Sequence, residues 1–144
     1  MPILLLFAPC EKVIIAHDNN TVSLISILQD FTIAFPANVQ IPETVAVPFR
    51  WYGFAMWQKQ AQDEGKHYVQ EIEFCDPDGT VILTGVSQFE ISLPIHRVIA
   101  ELAFFPVRQS GSYTLKLYLR EDKQGEEKKL IASFPLTITK KVEG

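Results

Sequence analysis

The chain has 144 residues, a size typical of one globular domain, and 47% of them are hydrophobic while 21% are charged. Its formal net charge of −4 gives no general attraction for phosphate backbones or anionic lipids, because such binding requires clustered lysine and arginine. These values predict a single domain over residues 1–144 and argue against nucleic acid and membrane partners.

The N-terminal segment carries a short apolar run that ends at Pro9. A secretion signal needs a basic segment followed by about 7 to 15 apolar residues, and the start of this chain has neither. No stretch reaches the roughly 20 apolar residues that cross a bilayer. We therefore expect a cytoplasmic protein in which Cys10 and Cys75 are free thiols, although their spacing does not exclude one disulfide.

The first half of the chain predicts a hairpin followed by irregular segments. Residues 12–28 place an Asp-Asn-Asn turn between two β-branched runs, and asparagine tolerates the left-handed backbone of tight turns. The proline-containing segment 36–48 predicts a crossover, and the polar segment 58–66 predicts an exposed loop.

The second half alternates polar and apolar residues with period two, which is typical of half-buried strands. The alternation is clear at 68–74, 113–119 and 130–138, and an Asp-Pro-Asp-Gly turn at 76–79 follows the first of these. Residues 94–102 are predicted to be a strand with Val98, Ala100, Leu102 and Phe104 facing inward.

About eight turn-bounded strands without a convincing helix predict an all-β domain, a two-sheet antiparallel β-sandwich of immunoglobulin or fibronectin type. Tyr113 opens the penultimate strand, where immunoglobulin-like sandwiches place a tyrosine. Leu115 stands where antibody domains have a cysteine, so the similarity is to the architecture without its disulfide.

A family resemblance rests on short segments spread over nearly the whole chain. They are Cys10-Glu11-Lys12-Val13, Val22-Ser23-Leu24-Ile25, Phe31, Phe35-Pro36, Asp76-Pro77-Asp78-Gly79 and Gly111-Ser112-Tyr113. With these turns and core positions the chain resembles a family of uncharacterised bacterial domains of this size. The resemblance implies a cytoplasmic bacterial β-sandwich, and it implies no activity and no catalytic residue.

Candidate catalytic residues do not form a known pattern. His17, His67 and His96 lie in separate segments without metal-ligand spacing. The segment 85–89 begins like the nucleophile elbow of hydrolases, but Phe89 stands where a second glycine is needed. Glu71 would lie about 7 Å from the next glutamate along its strand, which is ordinary for a solvent-facing strand. We expect no cofactor and no enzyme activity.

The loop aspartates offer one alternative, because calcium prefers several oxygens from neighbouring loops. Asp76 and Asp78, with Asp18 and Asp122 from other turns, would supply such oxygens. The Asp-Pro-Asp-Gly segment is also a strong turn former, so we assign its aspartates to a turn without a metal. The second hypothesis is a small-ligand or calcium-binding module, or an enzyme, that uses these loop carboxylates.

The segment from Phe49 to Trp57 is apolar on both faces of the predicted strand. Tyr52, Phe54 and Met56 share its second face, and something must cover them. The N-terminal segment or the proline-rich crossover would do so within one chain, whereas a partner surface would do so between chains. We predict self-association, as a dimer, through these three residues or a neighbouring edge. A non-catalytic protein-binding or assembly domain is therefore the favoured function.

Overall fold

The computed structural model describes residues 1–143. Within that range the chain forms eleven strands, one short 3-10 turn (Ala61–Asp63) and no α-helix, which confirms the all-β prediction. The strands are β1 (Ile3–Ile15), β2 (Val22–Ile27), β3 (Asp30–Pro36), β4 (Val45–Val47), β5 (Trp51–Gln58), β6 (His67–Cys75), β7 (Val81–Glu90), β8 (Ile95–Leu102), β9 (Phe105–Val107), β10 (Gly111–Glu121) and β11 (Lys129–Glu143). The predicted count of about eight was too low; two of the strands, β4 and β9, have three residues each, too few for alternation to reveal them. No helix in these residues is long and apolar enough to cross a membrane.

The strands form two larger sheets and one small one. The first sheet has the order β2-β1-β5-β8, the second β3-β11-β10-β6-β7, and β4 pairs with β9 in the third. The prediction of purely antiparallel pairing was wrong at one position, since β3 pairs with β11 in parallel. β3 lies on the opposite side of β11 from β10 and runs in the same direction as β11. Period-two alternation does not specify the direction of a neighbouring strand, so it could not predict this pairing.

The predicted turns and alternation position most of the core. Residues 12–28 form the β1–β2 hairpin, and the turn at 76–79 joins β6 to β7 with a left-handed Gly79. β6 and β10 send alternate side chains inward, and the largest fully buried members of the core include Trp51, Trp57 and Phe74. The predicted inward residues of β8 are buried, but Phe104 follows the strand and is 36% exposed.

The hydroxyl of Tyr113 makes two hydrogen bonds to the backbone of the β9–β10 loop. It donates to the backbone oxygen of Gln109 at 2.7 Å and accepts from the backbone N–H of Arg108 at 2.8 Å. Both backbone groups lie just upstream of the tyrosine, which is the arrangement of the tyrosine corner in immunoglobulin-like domains. The side chain thereby ties the β9–β10 loop to the core.

The β1–β2 hairpin curls back over the first sheet. β1 is antiparallel to β5: Ile3 lies opposite Gln58, and Cys10 lies opposite Tyr52. β1 therefore runs away from the end of the sheet at which Met56 of β5 pairs with Arg97 of β8. Straight continuation at about 3.3 Å per residue would carry the hairpin turn far from that end. Instead, Arg97 Nη2 donates to the backbone oxygen of Asn20, in the turn, at 2.5 Å. The hairpin must therefore fold across the face of the sheet that carries Arg97 and Met56, which we call the outer face.

Candidate functional site

The three residues of the predicted interface lie on the outer face, but their exposure differs. Phe54 has no exposed surface within a single chain, whereas Tyr52 and Met56 are half-buried. Ala8 and Cys10 lie beside β5 on the same face and are also buried, outside the main core cluster. Since the hairpin crosses this face, the chain itself supplies the cover. Phe54 therefore does not face solvent as expected, whereas Tyr52 and Met56 keep part of their surface, and the dimer stays a prediction.

Apolar side chains are exposed on the hairpin itself. Ile14, Ile25 and Ile27 retain 42–47% of their surface, and all three belong to β1 or β2. β2 is the terminal strand of its sheet, so one of its backbone edges has no strand partner among residues 1–143. The hairpin therefore carries both an open strand edge and exposed apolar side chains.

A cleft of about 320 Å³ lies between the hairpin turn and the first residues of β8. Its lining consists of Asn20, Met56, Leu93, Ile95, His96 and Arg97. His96 stacks on Phe89 at a centroid distance of 5.1 Å, and burial lowers the pKa of its imidazole. The ring is therefore neutral near pH 7, and Arg97 supplies the positive charge of the cleft.

The loop aspartates of the calcium alternative are held by other contacts. Asp76 is buried, its Oδ1 accepts the backbone N–H groups of Asp78 and Thr80, and its Oδ2 accepts from Arg108 at 2.8 Å. Asp78 accepts from the Gln109 amide. Across residues 1–143, no group of three or more histidine, cysteine or acidic side chains is arranged to hold a metal. Asp18 and Asp122 do not join Asp76 in such a group.

The remaining sequence candidates are dispersed. Glu71 and Glu73 both pair with Lys128, at 3.0 and 2.8 Å, on the solvent side of the second sheet. Ser87 lies inside β7 rather than at a strand-to-helix turn, so the hydrolase-like context is missing. Cys10 and Cys75 are free and buried, as predicted, and burial raises the pKa of both thiols.

No family model, curated protein or solved structure matches this chain. The features that bear on function are the hairpin, its open edge and the cleft beneath its turn.

A buried carboxylate lies in the segment that the sequence predicted to be an exposed loop. Asp63 has no exposed surface; it accepts from the Tyr68 hydroxyl at 2.5 Å and from the Gln60 backbone N–H at 2.7 Å. Burial alone would raise the pKa of Asp63, but these hydrogen bonds and the nearby N-terminal ammonium lower it overall. The spacing of Gln60 and Asp63 is a signal that could have located this site, because an acidic residue three positions after the cap residue is typical of a capped turn.

We expect Asp63 to contribute an acid-sensitive part of the stability. Because its pKa is lower in the folded than in the unfolded chain, its contribution is complete above the unfolded value of about 3.9 and is lost as the pH falls below it. Asp63→Asn should therefore be less stable at pH 7 and lose less stability on acidification. Thermal melts from neutral pH down to about pH 3 would measure both effects. Glu127→Gln, at an exposed position, is the control, and an unchanged acid slope in Asp63→Asn would contradict the assignment.

Proposed function

We propose that this protein is a non-catalytic assembly domain, and that two copies associate by pairing their β2 strands edge to edge. The observation that carries the proposal is the composition of that edge. β2 (Val22–Ile27) contains no charged residue and no proline, although it is the end strand of its sheet. An open edge of this kind offers unpaired N–H and C=O groups to another strand.

The other edges of the two large sheets carry residues that oppose such pairing. Natural edge strands are usually blunted by charge, proline or glycine. The other three end strands each contain such residues. β8 contains Arg97 and Glu101, β3 contains Asp30 and Pro36, and β7 contains Gly85 and Glu90. β2 is the unprotected edge of the four.

The exposed isoleucines of the hairpin supply apolar surface beside the edge. Burying a fully exposed isoleucine side chain contributes about 1.5–3 kcal/mol. Ile25 and Ile27 are about half exposed, so burying each of them would contribute a part of this free energy to association. Ser26 has a left-handed φ of 55°, which interrupts the extended backbone and places the regular edge at residues 22–25. An antiparallel two-fold pairing would set this segment against itself, as closed dimers require.

Our proposal moves the predicted self-association from Tyr52, Phe54 and Met56 on β5 to β2, which β1 separates from β5. Met56 lines the cleft together with Asn20 of the hairpin turn, and Tyr52 lies opposite Cys10 of β1, so neither belongs to the proposed β2 contact. A strand from a different protein would meet the same edge, and the experiment below separates that case from a second copy.

The framework that holds this edge is, in our proposal, a two-sheet immunoglobulin-like sandwich of a cytoplasmic bacterial protein. The hydroxyl contacts of Tyr113 support the sandwich relationship. The free thiols of Cys10 and Cys75 suit a reducing compartment, and the net charge of −4 suits a partner other than nucleic acid or membrane.

Ile25→Lys tests the proposal directly. A lysine on the edge strand places a like charge on both sides of the pairing and should shift the protein from dimer to monomer. Size exclusion with light scattering at tens of micromolar should give twice 16.3 kDa for the unchanged chain and 16.3 kDa for the variant. Circular dichroism would verify that the variant is folded.

Val86→Lys is the matched control, because Val86 is 63% exposed on a strand of the other sheet. This variant should remain dimeric. A monomeric unchanged chain at the same concentration would overturn self-association, and a dimer that both lysine variants leave intact would place the interface away from β2.

A further inference from the structure

The cleft beneath the hairpin turn contains an arginine whose charge no carboxylate balances. Arg50, Arg108 and Arg120 each pair with an acidic side chain within 4 Å. Arg97 forms no ion pair with the residues that the structure describes; its contacts are with Asn20, through Nη1 to the amide oxygen at 3.3 Å and through Nη2 to the backbone oxygen. A guanidinium has five N–H donors, so several remain for another acceptor.

Apolar side chains adjoin this cation. Leu93 is 64% exposed and Ile95 is 49% exposed, and both line the cleft together with Met56. Lys59, which lines a second cleft nearby, differs because it pairs with Glu64. The cleft therefore offers the unpaired charge of Arg97 next to the exposed apolar surface of Leu93 and Ile95. A ligand that complements it carries a negative charge and an apolar group.

We infer that the cleft around Arg97 binds a small carboxylate that carries a short apolar tail. The planar fork of arginine matches the two oxygens of a carboxylate, and the tail would lie against Leu93, Ile95 and Met56. The volume of about 320 Å³ is at the lower end of the range for ligand sites, so the ligand must be small. This inference goes beyond the proposed function, because the cleft is a ligand site separate from the β2 edge.

Titration with hexanoate, followed by NMR shifts of backbone and methyl signals, tests the inference. Saturable shifts should occur at Asn20, Met56 and Ile95, and hexanamide, which has the tail without the charge, should bind at least about tenfold more weakly. Inorganic phosphate provides the charge without the tail. Equal binding of phosphate would overturn the assignment of an apolar carboxylate, and the absence of saturation by hexanoate would overturn the site.

Three variants test whether the guanidinium of Arg97 binds the ligand. Arg97→Gln should weaken hexanoate binding about tenfold or more, while Arg50→Gln, at an arginine already paired with Glu101, should not. Asn20→Gly removes the amide acceptor of Arg97, keeps the left-handed backbone and the backbone oxygen that accepts from Nη2, and leaves the guanidinium in place. It should retain hexanoate binding. Loss of binding in Asn20→Gly but not in Arg97→Gln would contradict the role of Arg97.

Discussion

Phe54→Ala should lower the free energy of unfolding by about 3–5 kcal/mol, although Phe54 lies outside the main core cluster. The side chain has no exposed surface, so its truncation leaves a cavity between the outer face and the hairpin. For a domain of this size the melting temperature should fall by roughly 10–15 °C. Chemical denaturation at several protein concentrations would measure the loss.

The concentration series distinguishes cover within one chain from cover by a second copy. If the hairpin covers Phe54, the difference in stability between Phe54→Ala and the unchanged chain is the same at every concentration, whereas cover by a partner would make it grow with concentration. Phe104→Ala is the matched control, because Phe104 is 36% exposed and its truncation should cost clearly less. A cost for Phe54→Ala no larger than that of the control would show that the hairpin does not seal this face.

Trp51→Ala should lower the free energy of unfolding by a similar amount, about 3–5 kcal/mol, because it removes both aromatic packing and a hydrogen bond. Trp51 is fully buried and its ring lies 5.2 Å from that of Phe74 and 5.0 Å from that of Phe105. Its Nε1 also donates to the backbone oxygen of Phe104 at 2.8 Å, so truncation removes both packing and the partner of a carbonyl. Urea or thermal unfolding would measure the change.

Trp51→Phe provides the comparison if the alanine variant does not fold. The phenyl ring keeps much of the packing with Phe74 and Phe105 and loses the hydrogen bond to Phe104, so its cost should fall between zero and that of Trp51→Ala. If Trp51→Phe and Trp51→Ala were equally destabilised, the hydrogen bond rather than the aromatic packing would dominate at this position. Little change in either variant would contradict the packing described for the core.

The same hairpin connects the two proposals. Its open β2 edge is the proposed contact with a second copy, and its turn forms one wall of the Arg97 cleft through Asn20. The two proposals are independent in their tests, because Ile25 and Arg97 lie on different strands and neither variant alters the residue of the other.

Local sequence pattern was sufficient to predict the longer strands and several turns. Alternation between apolar and polar residues in β6 and β10 reflects the geometry of a single strand with one buried face, which does not depend on distant contacts. The turns at 16–21 and 76–79 were similarly predictable, because asparagine and glycine tolerate the backbone angles observed at Asn20 and Gly79.

Only the tertiary structure decided how the outer face of β5 is covered and which edge remains open. The sequence showed that Phe54 needs cover, but whether the N-terminal hairpin, the crossover or a partner supplies it depends on the bend of β1, which no local pattern specifies. The parallel pairing of β3 with β11 and the contact between Asn20 and Arg97 likewise join residues that are far apart in the sequence. Such contacts depend on the path of the whole chain, which local pattern does not describe. Periodicity determines which side of a strand is buried, whereas the packing of strands against one another determines what buries it.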